Sequence, residues 1–260
     1  MDWRGRRLHF VGIGGAGMSG LALVARALGA EVTGSDRAEA SPYLDRLREA
    51  GIEPAAGHAA AHVPAEAELV VSTAIPPSNP ERAVARERGQ AELHRADLLA
   101  ELTRLRPTIA VAGTHGKTTT SSMVVHALRG AGMDPAYLVG GEVRSTGTNA
   151  AWGEGEWLVV EADESDRSLL KLSPAIAVLT NAELDHHDEY ASRREVDEVF
   201  RAFLALAGRS AVWGRTELVA LAPPGRVTPF DVPEPELRAG GSAFELDGVR
   251  VELPVPGAHN

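Results

Sequence analysis

The chain has 260 residues, 44% of them hydrophobic and 24% charged, a balance that supports a folded core and excludes a disordered or fibrous chain. Its 26 Lys and Arg against 36 Asp and Glu leave a formal charge of −10, which repels phosphate backbones and anionic lipid and argues against a non-specific nucleic-acid binder or a polybasic membrane protein. Cysteine is absent, which excludes a disulfide scaffold, a cysteine–zinc site, an iron–sulfur cluster and a thiol nucleophile, and fits a reducing cytoplasm.

Arg4, Arg6 and Arg7 precede an almost uncharged run over residues 8–25, superficially like a signal peptide. Gly12, Gly14, Gly15, Gly17 and Gly20 interrupt it, and glycine inside a helix costs about 1 kcal/mol relative to alanine. The run therefore reads as strand 8–11, glycine turn and helix 18–28, and the chain as cytoplasmic. A second strand follows over 31–34. Ser41 and Pro42 supply an N-cap and a first-turn proline for a helix reaching 50, which Gly51 stops. Strand 69–72, a Pro/Asn-rich turn over 76–80 and helices 81–88 and 96–105 complete a first unit, residues 1–106. Pro107 marks the boundary, because the residue before proline is pushed out of helical geometry.

The second unit, 107–260, opens with strand 108–112, a glycine turn and helix 117–130. Strands 157–161 and 176–179, helix 193–207 and strands 211–213 and 227–230 follow, with 223–235 as a proline-rich surface connection. Asp247 and Gly248 join strands 244–246 and 249–253 as a two-residue hairpin. Strands alternating with helices predict the α/β class: a Rossmann-like parallel, doubly wound sheet, then a phosphate-loop α/β unit.

Two glycine turns carry the chemistry. Gly12-Ile13-Gly14-Gly15-Ala16-Gly17 is a G-x-G-x-x-G between strand and helix, with Asp36 near the usual position of a ribose-binding acid. Such a turn lets a diphosphate approach helix N-terminal amides, of NAD or of another nucleotide. Gly113-Thr114-His115-Gly116-Lys117-Thr118-Thr119 is the stronger signal, although Val111 stands where the full phosphate-loop pattern has its first glycine. Its amides can wrap phosphates, Lys117 can reach the β and γ oxygens, and Thr118 or Thr119 can hold magnesium. Only Lys117 and Lys171 are lysines among the 26 basic residues, so a compact ammonium is placed where arginine is the rule.

Strand 157–161 runs into Glu161-Ala162-Asp163-Glu164-Ser165-Asp166, at the strand end where ligands bind in open α/β sheets. Glu161 is the natural magnesium ligand; Asp163, Glu164 and Asp166 serve equally as a solvated turn. Strand 176–179 delivers Thr180-Asn181-Ala182-Glu183-Leu184-Asp185-His186-His187-Asp188, histidines and acids suited to metal coordination or proton transfer. Zinc hydrolysis is a competing reading, but it lacks an H-E-x-x-H pattern and leaves the phosphate loop without a purpose. His58, His62, His94 and His126 have no such context and are read as structural or surface.

These segments resemble the Mur ligase family: HFVGIGGAGMSGLA at 9–22, GSD at 34–36, STAI…NPE within 72–81, GTHGKTTT at 113–120, GTNA at 147–150, EADESD at 161–166, TNAELDHHDEY at 180–190 and PGAHN at 256–260. The resemblance implies an ATP- and magnesium-dependent ligase of peptidoglycan synthesis that activates a UDP-linked muramoyl carboxylate as an acyl phosphate for attack by an amine. His115 resembles members whose amine is L-alanine; a tripeptide acceptor is the alternative within the family. By resemblance Lys117, Glu161 and His186 are catalytic, and Thr118, Glu161 and His186 hold metal. Residues Gly113 to Thr119, with His259 and Asn260, hold ATP. The substrate side comprises Gly14, Gly15, Gly17, Met18, Asp36, Ser72, Thr148, Asn149, Asp166 and Ser168.

Many family members carry a carbamylated lysine beyond the position of His186; here no lysine follows Lys171, as in the alanine-adding branch. The family also has a C-terminal, amino-acid-binding domain that this sequence lacks, so the chain alone is expected to hold ATP weakly and not to form the amide bond. An NAD-dependent oxidoreductase built on Gly12–Gly17 and Asp36 is the alternative from another class, and it leaves Lys117 and Glu161 unexplained.

Overall fold

The computed structural model describes residues 3–184, 190–231 and 234–255. The first series of elements is β1 (Arg7–Val11), α1 (Ala16–Ala27), β2 (Glu31–Asp36), α2 (Pro42–Glu49), β3 (Ala55–Ala56), β4 (Glu68–Val71), α3 (Pro80–Glu87), β5 (Glu92–His94) and α4 (Arg95–Leu102). Its five strands pair in the order β3-β2-β1-β4-β5, all parallel. Ser41 caps α2 as the sequence predicts, its hydroxyl accepting from Leu44 N at 3.2 Å with Pro42 in the first turn. Helix α4 stops at Leu102 rather than 105, because the Thr103 hydroxyl donates to Ala100 O and accepts from Ser173 N. A tertiary contact ends that helix.

The second series is β6 (Thr108–Ala112), α5 (Lys117–Gly130), β7 (Ala136–Val143), β8 (Thr148–Ala151), β9 (Leu158–Glu161), β10 (Ile176–Leu179), α6 (Arg193–Leu206), β11 (Arg209–Trp213), α7 (Thr216–Val219) and β12 (Val227–Phe230). The strand order is β12-β11-β10-β6-β9-β7-β8. Six of these strands run parallel; β8 is antiparallel to β7, which makes the sheet mixed. Strands β7 and β8 have no counterpart in the sequence reading. Gly140 and Gly141 look like a turn, yet they lie within β7, where the register with β8 shifts between Leu138 and Val143. A third sheet, β13 (Glu236–Arg238), β14 (Gly241–Leu246) and β15 (Val249–Leu253), is antiparallel, and Asp247-Gly248 makes its hairpin as expected.

One continuous apolar cluster spans both large sheets, from Leu8, Phe10, Leu44 and Leu98 to Leu158, Val160, Leu179, Phe200 and Phe203. Each of these side chains contributes about 1.5–3 kcal/mol of burial. Helix α1 carries the junction, packing on β7 and β8. A Cβ at Gly20 would lie only 3.2 Å from Ala150 Cβ and 3.3 Å from Asn149 Nδ2, so a side chain there would require β8 to give by a few tenths of an ångström.

A polar knot sits within the first unit. Glu81, in the first turn of α3, is fully buried and accepts from Ser35 Oγ at 2.7 Å and Ala59 N at 3.2 Å. His62 Nδ1, His58 Nδ1 and His9 Nε2 lie 3.3, 3.5 and 3.7 Å from its carboxylate. Burial pushes the Glu81 carboxyl up, but His9, Ser35 and the Ala59 amide outweigh it and hold the group below the ordinary value of 4.5. The knot ties β1, β2, α3 and the loop over 57–63 together. His58 and His62 are therefore structural, as read, and half-buried.

Because the native carboxyl is depressed, its stabilisation is complete above pH 4.5 and is lost as pH falls through the lower native value. Glu81→Gln is expected to cost about 2 kcal/mol near neutral pH. Denaturant unfolding should show that deficit shrinking below about pH 4.5; a deficit independent of pH would contradict the ionised assignment.

Candidate functional site

Strands β9, β6 and β10 are adjacent and parallel, so the segments leaving their carboxyl ends meet in one crevice. Val111 pairs with Glu161, and Ala112 with Leu179, which sets the acid of β9 and the polar loop after β10 on either side of the glycine turn. Gly113 has φ 141° and is pressed on Thr180, whose hydroxyl occupies the space a Cβ would need. Gly116 caps α5 in the left-handed region at φ 81°.

The turn is laced to the β10 loop. Asn181 grips His115 twice: Oδ1 accepts from His115 N and Nδ2 donates to His115 O, both at 2.9 Å. Thr180 Oγ1 donates to the same carbonyl at 2.8 Å. Thr114 exchanges hydrogen bonds with the Glu183 backbone, accepting from its N–H at 2.9 Å and donating to its carbonyl at 3.2 Å. His115 itself projects outward, with Nε2 3.9 Å from Glu183 Oε2 and both side chains exposed.

Lys117 folds back over the turn. Its Nζ donates to Gly113 O at 2.7 Å and to Glu164 Oε1 at 2.9 Å. Glu164 is 2% exposed, so this acid is an internal partner of the ammonium and not part of a solvated turn. Tyr190, beyond the β10 loop, donates its hydroxyl to the Glu164 carbonyl. The Glu161 carboxylate accepts from Gly140 N at 2.7 Å, and the Thr118 side chain stands close enough to help hold its charge. Burial raises the Glu161 carboxyl above its ordinary value, against the opposing pull of the Gly140 amide, Thr118 and the Lys117 charge. A desolvated carboxylate and a threonine hydroxyl on neighbouring elements at the mouth of the glycine turn are hard-oxygen groups suited to magnesium. Among the described residues no three His, Cys, Asp or Glu side chains converge on a metal position. Thr119 lies exposed in the first turn of α5.

The first glycine turn is closed by Asp36, whose Oδ2 accepts from Gly14 N at 2.8 Å while Oδ1 accepts from Ala38 N at 2.9 Å. Gly15 N is used on Gly12 O, which leaves the first-turn amides of α1, from Ala16 through Met18, as donors without intrahelical partners. Asn149 is 1% exposed and donates to Ala16 O at 2.7 Å, so it joins β8 to the start of α1. Thr148 Oγ1 is engaged with the Ala150 backbone of its own strand, and Ser72 follows β4 at the C-terminal edge of the first sheet. Asp166 accepts from Ser168 N at 2.9 Å and, with Asp163, from Arg95 Nη2 at 3.3 and 3.1 Å. Asp163 is buried enough to raise its carboxyl, but Ser165 and Arg95 hold it below the ordinary value. His186, His259 and Asn260 lie outside the described residues.

Four participants escape sequence reasoning: Arg95, Glu164, Thr180 and Asn181. Arg95 is one arginine among 24 and has no motif of its own, while Glu164, Thr180 and Asn181 stand at strand ends that mark them only by position. Of the lysines, Lys171 pairs with Asp97 at 2.6 Å on the surface, so lysine by itself does not mark the phosphate turn.

Fold and site define an α/β protein with two large sheets and a glycine turn of phosphate-loop type after the first strand of the second. The profile of the Mur ligase family, catalytic domain, matches residues 7–106, and that of the Mur ligase middle domain matches residues 111–213. The chain belongs to the Mur ligase family. It is 46% identical over 268 residues to the UDP-N-acetylmuramate–L-alanine ligase of Rubrobacter xylanophilus, covering 98% of this chain and 60% of that protein. The corresponding ligase of Mesorhizobium japonicum is 42% identical over 279 residues, again with 97% and 60% covered. Among solved structures, the UDP-N-acetylmuramate–alanine ligase of Thermotoga maritima superposes with a TM-score of 0.84 at 29% identity, covering 97% of this chain and 61% of that one. A Neisseria UDP-N-acetylmuramate:L-alanyl-γ-D-glutamyl-meso-diaminopimelate ligase gives 0.83 at 27% identity, covering 98% and 89%. The chain thus spans about 60% of the length of the curated relatives it matches.

The double grip of Asn181 on His115 is worth about 1 kcal/mol per hydrogen bond. Asn181→Ala is expected to loosen the turn and weaken binding of a magnesium–ATP analogue about tenfold. Calorimetric titration of the folded variant reads this directly, and unchanged affinity would show that the turn needs no support from β10.

Proposed function

We propose that this chain carries the UDP-sugar-binding domain, residues 1–106, and the ATP-binding central domain, residues 107–260, of a cytoplasmic ligase that joins L-alanine to the carboxylate of UDP-N-acetylmuramate in peptidoglycan synthesis. The observation that carries this reading is the register of β6 and β9, which sets Glu161 opposite Val111 at the foot of the glycine turn that Lys117 folds over. Similarity to alanine-adding relatives along 98% of the chain supports the choice of acceptor over a tripeptide. No described helix is long and apolar enough to cross a membrane.

In this reading the N–H groups of the turn, fixed in place by Asn181 and Thr180, cradle the ATP phosphates. The Lys117 ammonium exchanges its carbonyl partners for the β and γ oxygens and steadies the transferring phosphoryl group. Thr118 and Glu161, with His186, would hold magnesium, which when bound would supply positive charge that lets two anions approach. The muramoyl carboxylate oxygen attacks the γ-phosphorus, the bond to ADP breaks, and an acyl phosphate forms. The alanine amine then attacks the acyl carbon, phosphate leaves with the C–O electron pair, and the amine proton is released. A carboxylate cannot be attacked directly because its leaving group is oxide, which explains the requirement for ATP.

On the opposite side, Asp36 braces the first glycine turn, and the free amides of α1 receive the uridine diphosphate, with Ser72, Thr148, Ser168 and Asp166 toward the sugar. An NAD-dependent oxidoreductase leaves the whole β9-β6-β10 crevice idle. Titration with NADH should therefore produce no nicotinamide fluorescence change.

Removing the ammonium from a desolvated charge pair costs about 2 kcal/mol or more. Lys117→Ala is accordingly expected to weaken magnesium–ATP binding at least 30-fold, about 2 kcal/mol, while UDP-N-acetylmuramate affinity stays within about twofold. Equal ATP retention by both proteins would rule out the phosphate turn as the nucleotide site.

A further inference from the structure

Arg95 opens α4 in the first unit, yet its guanidinium reaches into the second. Nη2 donates to Asp163 Oδ2 at 3.1 Å and to Asp166 Oδ2 at 3.3 Å. Each of these carboxylates is divided between two duties. Asp163 Oδ1 accepts from Ser165 N at 3.0 Å and Ser165 Oγ at 2.7 Å, and Asp166 Oδ1 accepts from Ser168 N at 2.9 Å, so one oxygen of each acid shapes the loop and the other faces Arg95. That loop begins at Glu161, two residues before Asp163, where the carboxylate accepts from Gly140 N at 2.7 Å.

The other arm of the fork points elsewhere. Nη1 lies 3.5 Å from where a Cβ on Gly17 would stand, in the first turn of α1, beside the amides left without intrahelical partners. Neither Nη1 nor Nε hydrogen-bonds to any described residue. A planar guanidinium with five donors can take a phosphate oxygen on that arm without releasing the acids on the other. Lysine, a single point charge, cannot serve both directions.

We propose that Arg95 is a positioning residue that couples the two nucleotide sites: a diphosphate seated on the α1 turn binds Nη1, which immobilises the guanidinium and, through Nη2, Asp163 and Asp166, the loop that presents Glu161. The inference rests on the reading of the first glycine turn as a uridine-diphosphate site. Its consequence is positive linkage. Filling one site lowers the ordering cost at the other, and by reciprocity each ligand tightens its partner by the same factor.

The test is a coupling ratio, which a general loss of stability leaves unmoved. Uridine diphosphate is titrated into the intact protein with and without a saturating non-hydrolysable magnesium–ATP analogue, and the titration is repeated in the opposite order. The native protein is expected to show a ratio of about 5 to 50, equal in both orders. In Arg95→Gln the ratio falls to about 1, and Arg95→Lys, which keeps the charge without the fork, stays within about twofold of that value. A native ratio of 1, or an undiminished ratio in folded Arg95→Gln and Arg95→Lys, overturns the coupling role while leaving the uridine-diphosphate site intact. Failure of the native protein to bind uridine diphosphate at all overturns the site reading, and the inference with it.

Discussion

The ammonium of Lys117 sits 2.9 Å from the carboxylate of Glu164 and 2.7 Å from the carbonyl of Gly113, inside a crevice made by three neighbouring parallel strands. A charge in so enclosed a place must be compensated, and the protein compensates it with its own backbone and a buried acid. That requirement orders the surroundings. Gly113 must lack a side chain so that Thr180 can pack beneath it, Asn181 must hold His115, and β9 must deliver its acids opposite the turn. The carbonyl partners that keep Lys117 in place are ones that the triphosphate proposed for this turn is suited to replace.

The two large sheets are joined by contacts that also belong to the proposed sites. Asn149 of β8 holds the carbonyl of Ala16 at the head of α1, and Gly20, one turn further on, lets that helix lie against Ala150. Arg95 reaches from α4 to Asp163 and Asp166. Apolar burial unites the units in one cluster, while these polar contacts choose how α1 and the acidic loop stand relative to each other. The diphosphate site proposed on α1 and the triphosphate site proposed after β6 are then neighbours by construction.

Not every concentration of titratable groups is a site. Glu81 with His9, His58 and His62 gathers four ionisable side chains, yet the carboxylate is sealed from solvent and satisfied by Ser35 and Ala59. Its work is to fasten β1, β2 and α3. Glu164 teaches the converse: an acid in a run of acids, easily taken for solvated, is almost wholly buried against a lysine.

Local sequence was sufficient for much of this protein. The glycine turn after β6 and the full span of α5, the Ser41 cap, the Asp247-Gly248 hairpin and the ends of β10 and β12 all follow from glycine placement, capping chemistry and apolar runs that act over a few residues. Strands β7 and β8 did not, because their glycines signal turns locally and only the neighbouring β9 makes strand pairing favourable. Nor did Arg95, Asn181 or the burial of Glu164, each of which depends on groups 47 to 71 residues away. Chemistry carried by a contiguous motif is written in the residues themselves. Chemistry carried by a buried charge or a reach across two sheets exists only once the chain has closed, since solvation and distance, not residue type, decide it.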